Sequence, residues 1–576
     1  MNILGLTDGM TSGASLINDG KIASAVSEER LLRKKMAIGF PWRAISEVLQ
    51  VSGVDVKDID GVAISTLSDY FYPNCREWKG WFQEDRGWLR EMFLKLSSKA
   101  AVFAGSNPYI KRYYYYFKNR LTRNRQKQII RIFREHYHYK GDIHFIDHHL
   151  CHASAAYFTS GINKAIVISM DGGGDGYSSR IYTGIDGRLK EMWSIPAYDS
   201  LGNFYAYITH ICGFKAHKHE GKITGLAAYG RPVYKKLLKD MIDYNDGTII
   251  NKSKSFYLSS LRKIMSELPR NFNKEDLGAS IQSIFEDIAS DYIEYWVNKT
   301  GIRDVVLVGG VFANVKLNQR IKGLKNVDSI YIFPGMGDDG LSVGAAYAFL
   351  HNYNHKRDNC LTPYRPMNFF YGRGYTNEEI EKELQRQGIK YDFIEDIETR
   401  IARLLADGRV VARFSGRMEF GPRALGNRSI LYQTTDKSVN EWLNKRLNRT
   451  EFMPFAPVTL EEFADQCYKD LDGGRHAARF MTITFDCTEW MKENCPAVVH
   501  IDGTARPQII NKELEPSYYR ILDEYRKITG IPSLINTSFN MHEEPIVCSP
   551  QDAIRAFQEG SLDYLAIGDF LIKGDE

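Results

Sequence analysis

The segment FIDHHLCHASAAYF, residues 145–158, brings Asp147, His148, His149 and His152 within six positions. An aspartate just ahead of a helical run makes a good N-cap, so Asp147 is expected to start a helix. His148 and His152 are then four residues apart and share one face. Two imidazoles at that spacing can grip one divalent cation, provided that a further ligand arrives from elsewhere. A polar helix start whose rings are satisfied by hydrogen bonds fits the same letters. His149 points to another face, which suits a supporting or backbone-bonding role.

A third ligand has a candidate source. In GMGDDGLSVGAAYAFL, residues 335–350, Asp338 and Asp339 sit in a Gly-bounded loop before a helix of small residues. The elements that must carry these groups show a duplicated layout. NILGLTDGMTSGASLINDGKIASAVSEER (2–30) and AIVISMDGGGDGYSSRIYTGIDGRLKEMWSI (165–195) each read as strand, Gly-rich turn, strand, Asp-Gly hairpin, strand. Such a repeat is how actin-like, sugar-kinase-like nucleotide folds begin their two halves. Gly172 and Gly173 in the second turn suit a backbone cradle for phosphate. In DVVLVGGVFANVKLNQRI (304–321), Gly309, Gly310 and Asn314 lie between a buried strand and a helix, where a nucleotide could approach.

The chain has 576 residues, 43% hydrophobic and 25% charged, enough for two or more domains of an ordinary globular protein. The start MNILGLTDGM has no basic region followed by an apolar run, and no segment has the length of a membrane span. Eight scattered cysteines without a CxxC pair argue against a zinc knuckle or a disulfide framework and favour a cytoplasmic setting. Net charge is only +4, yet residues 111–140 hold ten Lys or Arg against one acid, Glu135. A connector with Pro363 and Pro366 leads into a second α/β domain. Its loops GRMEFGPRALGNRS, RTEFMPFAP, HIDGTARPQ and NTSFN hold Arg417, Arg423, Arg428 and Arg506, which suit bidentate recognition of phosphate or carboxylate.

Taken in order, ASLINDGKIASAVSEER, DHHLCHASAAY, EGKITGLAAYG, LVGGVFANVKLN, GDDG, GPRALGNRSIL, MPFAP, HIDGTARPQ and LINTSFN resemble the NodU/CmcH family of O-carbamoyltransferases over nearly the whole chain. The resemblance implies an α/β protein: a duplicated actin-like (ASKHA) domain over 1–355 and a YrdC-like α/β domain over 366–576. It implies that carbamoyl phosphate and ATP form carbamoyl-adenylate in the second domain. The adduct then passes internally to the first, where the carbamoyl group reaches a hydroxyl of a sugar or secondary-metabolite acceptor and AMP leaves. The family's metal ligands fall on His148, His152 and Asp338. Two imidazoles and a carboxylate with open positions suit Fe(II), with Zn or Mn as alternatives, and ATP enters as its Mg complex. Arg423 and Arg428 fall on positions for carbamoyl phosphate. Arg506, Ser538 and Asn540 fall on positions for phosphate or ATP, with His500 and Asp502 arranging them. Lys35 and Lys222 correspond to contacts with the intermediate or nucleotide. The chain departs from the family at Met10, Thr11 and Ser12, where many members carry a His-Asp pair, and at NRTEFMPFAP, where Arg449 stands near a usual Lys-x-Arg-Glu.

Residues 68–140 match nothing in that pattern. Trp78, Trp81, Trp88, the run Tyr113–Tyr116 and the basic stretch after it read as a helical cap with a solvated basic face. Recognition of an anionic or carbohydrate acceptor, of RNA, or of a membrane surface are the functional alternatives; neutralising Arg123, Arg125 and Lys127 would test acceptor recognition. Expected partners are carbamoyl phosphate, ATP and a hydroxyl-bearing acceptor, with no DNA, for a monomer or homodimer. Competing readings are an actin-like kinase or ATPase, a tRNA-modifying carbamoyl-transfer enzyme, and a nucleotide-dependent scaffold.

Overall fold

A computed structural model describes residues 1–83, 92, 96, 124–355, 360–447 and 453–574. The first part of the chain builds two five-stranded sheets with one topology. In the first, β1 (Asn2–Thr7), β2 (Gly13–Asn18), β3 (Lys21–Ser27), β4 (Gly61–Ser65) and β5 (Asp142–Ile146) run in the order β3-β2-β1-β4-β5. In the second, β6 (Lys164–Gly174), β7 (Tyr177–Ile185), β8 (Arg188–Pro196), β9 (Asp304–Val308) and β10 (Ser329–Ile332) repeat it as β8-β7-β6-β9-β10. Each sheet has an antiparallel meander followed by two parallel strands. This repeat is the actin-like duplication that the paired sequence layouts predict. Asp19-Gly20 and Asp186-Gly187 turn two of the hairpins with both residues at positive φ, the geometry of a two-residue turn.

Two helices separate the sheets. Helix α1 (His148–Ser160) lies against β6, β7 and β9, and helix α2 (Leu341–His355) lies against β1, β2 and β4. The helices also pack on each other, and their backbones approach so closely that a Cβ on Gly344 would meet the Cys151 carbonyl at 1.8 Å. That explains the small-residue composition of α2. The apolar layers meet in a buried cluster that includes Phe158, Tyr331, Phe333, Tyr347 and Phe369. Because α1 and α2 face each other, the start of α1 and the Asp338–Gly340 turn ahead of α2 come together between the sheets.

The second part of the chain forms a mixed eight-stranded sheet. Its strands are β11 (Asp392–Phe393), β12 (Val411–Phe414), β13 (Arg428–Gln433), β14 (Ala456–Leu460), β15 (Gln508–Ile510), β16 (Ser533–Ser538), β17 (Tyr564–Ile567) and β18 (Phe570–Lys573). They run in the order β11-β18-β17-β12-β13-β16-β14-β15. The two parts are stitched by residues 30–35. Arg30 donates to the Gly421 carbonyl at 2.7 Å, and Arg33 donates to the carbonyls of Pro545 and Ile546 and pairs with Asp552. Among the described residues no helix is long and apolar enough to cross a membrane.

Of the 68–140 segment, Trp88, Tyr113–Tyr116 and Arg123 lie outside the described residues, as does Arg449 further along the chain. Residues 124–135 form a helix whose buried stripe is Arg125, Ile129 and Phe133, with Lys127, Arg131 and Arg134 exposed. Arg125 breaks the expected pattern of a solvated basic face. It is 2% exposed and pairs with Asp8 at the end of β1, so neutralising it would test packing rather than acceptor recognition.

Candidate functional site

Asp147 caps α1 by accepting from the Leu150 amide at 3.0 Å, so the first turn of the helix presents His148 and His152 on one face. Opposite them stands Asp338, with Oδ1 3.6 Å from Nε2 of each imidazole. A fourth group completes the cluster. Asp171, on β6, places Oδ2 3.2 Å from His152 Nε2 and 3.6 Å from His148 Nε2. One donor atom from each of these four side chains lies within 4.8 Å of the others.

Both histidines are buried, and His148 Nε2 has no hydrogen-bond partner although it faces two carboxylates. Burial works against a charge on His148, but Asp171, Asp338 and Asp175 outweigh it and hold the imidazole up at about 9. Converging carboxylates that make a buried imidazole keep its proton would favour a bound cation for the same electrostatic reason. Two imidazoles and two carboxylates suit a borderline or hard divalent ion. His149 turns away, with Nδ1 2.7 Å from Ser169 Oγ and Nε2 3.0 Å from the Tyr177 carbonyl. Asp339 is half-buried, with its Oδ2 closed off and without a hydrogen-bond partner; desolvation of the carboxyl, Glu29 and Asp338 push it up to about 7, so it can take up or release a proton near neutrality.

The glycine turns adjoin this cluster. Gly172 donates to Asp171 Oδ1 at 2.6 Å, and Gly309 adopts φ +105° where a Cβ would meet the Met170 carbonyl at 2.1 Å. A Cβ on Gly310 would stand 3.0 Å from Asp171 Oδ1, and Gly173 lies in the extended end of β6. Asn314 caps the following helix and exchanges hydrogen bonds with Gln282, so its side chain organises the turn.

A cavity of about 330 Å³ lies between the two parts of the chain. It is lined by six of the residues singled out in the sequence: Lys35, Lys222, Arg423, Arg506, Ser538 and Asn540. Lys218, His219 and Glu543, which the motif reading passed over, complete its charged wall. Five Lys or Arg therefore face one carboxylate. Burial opposes the charge on Glu543, but Lys218, His219 and Lys215 hold its carboxyl well below the usual carboxylate range. The only hint in the sequence is the dense run HKHEGK, residues 217–222.

The four loop arginines divide. Arg423 and Arg506 reach the cavity. Arg417 donates to the carbonyls of Ala23, Tyr371 and Gly372. Arg428 is fully buried, donates to the carbonyls of Ser415, Gly416 and Asn427, and stacks on Phe414. Burial lowers it to about 10, and it is not among the residues that line the cavity, contrary to its expected place at the carbamoyl phosphate site. The loop bearing Arg423 is shaped by Glu419, whose Oε1 accepts from the amides of Leu425, Asn427 and Arg428. His500 lines a second, larger cavity of about 890 Å³, which shares Met453 and Pro454 with the first. Its Nδ1 lies 3.2 Å from Asp502, which also pairs with Lys316 at 2.9 Å.

Residues 2–347 match the family model described as carbamoyltransferase N-terminus, and residues 402–574 match carbamoyltransferase C-terminus. The uncharacterized protein MJ1051 of Methanocaldococcus jannaschii is 33% identical over 99% of both chains. Nodulation protein NolNO of Sinorhizobium fredii is 30% identical over 98% of this chain and 79% of its own. Nodulation protein NolO of Bradyrhizobium diazoefficiens is 32% identical over 74% and 79%. Among solved structures, T. kodakarensis HypF aligns with TM-score 0.38 and 12% identity over 61% of this chain and 48% of that one. Both domain matches fall on the segments that build the carboxylate–imidazole cluster and the cationic cavity, and the chain belongs to the carbamoyltransferase family.

Proposed function

We propose that the protein is an ATP-dependent O-carbamoyltransferase that works through carbamoyl-adenylate. The cationic cavity carries this reading. Lys35, Lys218, Lys222, Arg423 and Arg506 against the single carboxylate of Glu543 form a recess suited to phosphorylated substrates. The recess has more than enough room for a small anion such as carbamoyl phosphate, and the adjoining cavity beside His500 has room for a nucleotide. Hydrolysis of carbamoyl phosphate gives carbamate and phosphate. A carbamate oxygen then attacks the α-phosphorus of ATP, and pyrophosphate leaves. Arg423 and Arg506 stabilise the anionic oxygens, while Ser538 and Asn540 orient them. Arg428 keeps the β12–β13 loops in shape.

Adenylation supplies the leaving group that carbamate lacks, and a water-excluding path between the sites protects the adduct. In the first domain, His148, His152, Asp171 and Asp338 would hold a divalent ion, Fe(II) or alternatively Zn or Mn. Bound there, it would supply Lewis-acid polarisation of the carbamoyl carbonyl. Asp339 can accept the proton released by the acceptor hydroxyl, and the Gly172 and Gly309 turns position the adenylate. The acceptor is a hydroxyl of a sugar or secondary metabolite. Pyrophosphate release that depends on both ATP and carbamoyl phosphate, without acceptor, tests the first half of the reaction. ADP as the product would instead indicate a kinase or ATPase.

A further inference from the structure

We propose that Arg125, on the helix that closes the basic insertion, positions the metal-ligating His148 through Thr66; this rests on the reading of the His148–His152–Asp171–Asp338 cluster as a metal site. Arg125 is buried where β4 ends. Its Nε donates to Asp8 Oδ2 at 2.9 Å, its Nη2 to the Ser65 carbonyl at 2.9 Å and its Nη1 to the Thr66 carbonyl at 2.7 Å. Thr66 is held at φ +70°, a conformation that a β-branched residue adopts only under external constraint. In that conformation its Oγ1 lies 3.2 Å from His148 Nδ1. An Nδ1–H donating to Oγ1 fixes the tautomer that leaves the Nε2 lone pair for a cation.

A second clamp acts on the same loop. The Asp175 carboxylate accepts from the amides of Leu67, Ser68 and His148, joining residues 66–68 to the first turn of α1. Residues 66–68 are thereby tied on one side to Arg125 and on the other to the first turn of α1. Arg125 is a positioning residue, and anything that displaces the 124–135 helix loosens a ligand.

Thr66→Val is the leading variant, because it exchanges only a hydroxyl for a methyl and breaks no buried ion pair. Mn(II) is titrated into metal-free full-length protein, and free Mn(II) is read by electron paramagnetic resonance. Wild type is expected to bind one ion per chain. Thr66→Val should raise the dissociation constant roughly 10- to 100-fold, the usual cost of losing a hydrogen-bond partner behind a ligand. Thr66→Ser, which keeps the hydroxyl, should restore wild-type binding. Asp8→Asn with Arg125→Met removes both charges of the buried pair together and should weaken binding likewise, with thermal melting of the metal-free protein showing that it folds. Wild-type affinity in Thr66→Val would overturn the relay, and wild-type affinity in the folded double variant would remove Arg125 from it. Failure of wild type to bind Mn(II) would instead bring down the metal reading, and this inference with it.

Discussion

Replacing Arg506 by Met tests whether the cavity between the two parts of the chain is the carbamoyl phosphate site. Methionine keeps most of the side-chain volume, so the recess retains its shape while its five Lys or Arg become four beside Glu543. A hydrogen bond from a charged group to an oxyanion contributes about 1.5–3 kcal/mol. Its loss should lower kcat/KM for carbamoyl phosphate about 10- to 150-fold. The assay is pyrophosphate release at saturating ATP with carbamoyl phosphate varied and no acceptor. Arg417→Met is the matched control. Arg417 comes from the same kind of loop but donates only to backbone carbonyls at 2.8–3.1 Å, outside the cavity. It should leave the KM for carbamoyl phosphate unchanged. An Arg506→Met protein with wild-type kcat/KM, or an equal loss in Arg417→Met, would refute the assignment.

Asp171→Asn should lower divalent-metal affinity at least about 10-fold, measured by titration of the metal-free protein, because it removes a carboxylate facing both imidazoles. His149→Ala should leave metal stoichiometry at wild type but destabilise the fold by about 1–3 kcal/mol in urea melts, since Ser169 and the Tyr177 carbonyl lose their buried partner. Gly309→Ala should cost at least about 3 kcal/mol or abolish soluble expression, from a Cβ forced against the Met170 carbonyl at positive φ. Glu543 has a depressed carboxyl, so its stabilisation is complete above the ordinary value of 4.5 and is lost as pH falls below it. The urea midpoint of wild type should exceed that of Glu543→Gln at pH 7, with the gap closing towards pH 3.

The fold was legible where period and turn chemistry agree. The Asp-Gly hairpins and the buried strands before Gly-rich turns anticipated both actin-like sheets, because a two-residue turn with positive φ leaves few alternatives. The His148–His152 pair was legible because helical spacing puts both on one face. Asp171 escaped notice because it opens DGGGDG, where the glycines drew the reading towards phosphate; its carboxylate meets the imidazoles only when β6 packs against α1. The loop arginines show the opposite limit. Arg417, Arg423, Arg428 and Arg506 have similar surroundings in sequence, yet two face the cavity and two are occupied by backbone carbonyls. That division depends on which loop atoms need a donor after folding, a tertiary fact without local signature. Arg125 likewise reads as one more cation of a basic run, and becomes a buried pin only because Asp8 and the ends of two strands lie beneath it.

In the proposed reaction, carbamoyl transfer proceeds through an adenylate formed before the acceptor is engaged. The most direct measurement is a single incubation of the full-length protein with carbamoyl phosphate and α-labelled ATP, without acceptor, followed by separation of the nucleotides. Labelled carbamoyl-AMP or its hydrolysis product AMP, with matching pyrophosphate, is expected only when carbamoyl phosphate is present. Labelled ADP, or AMP formation indifferent to carbamoyl phosphate, would contradict it.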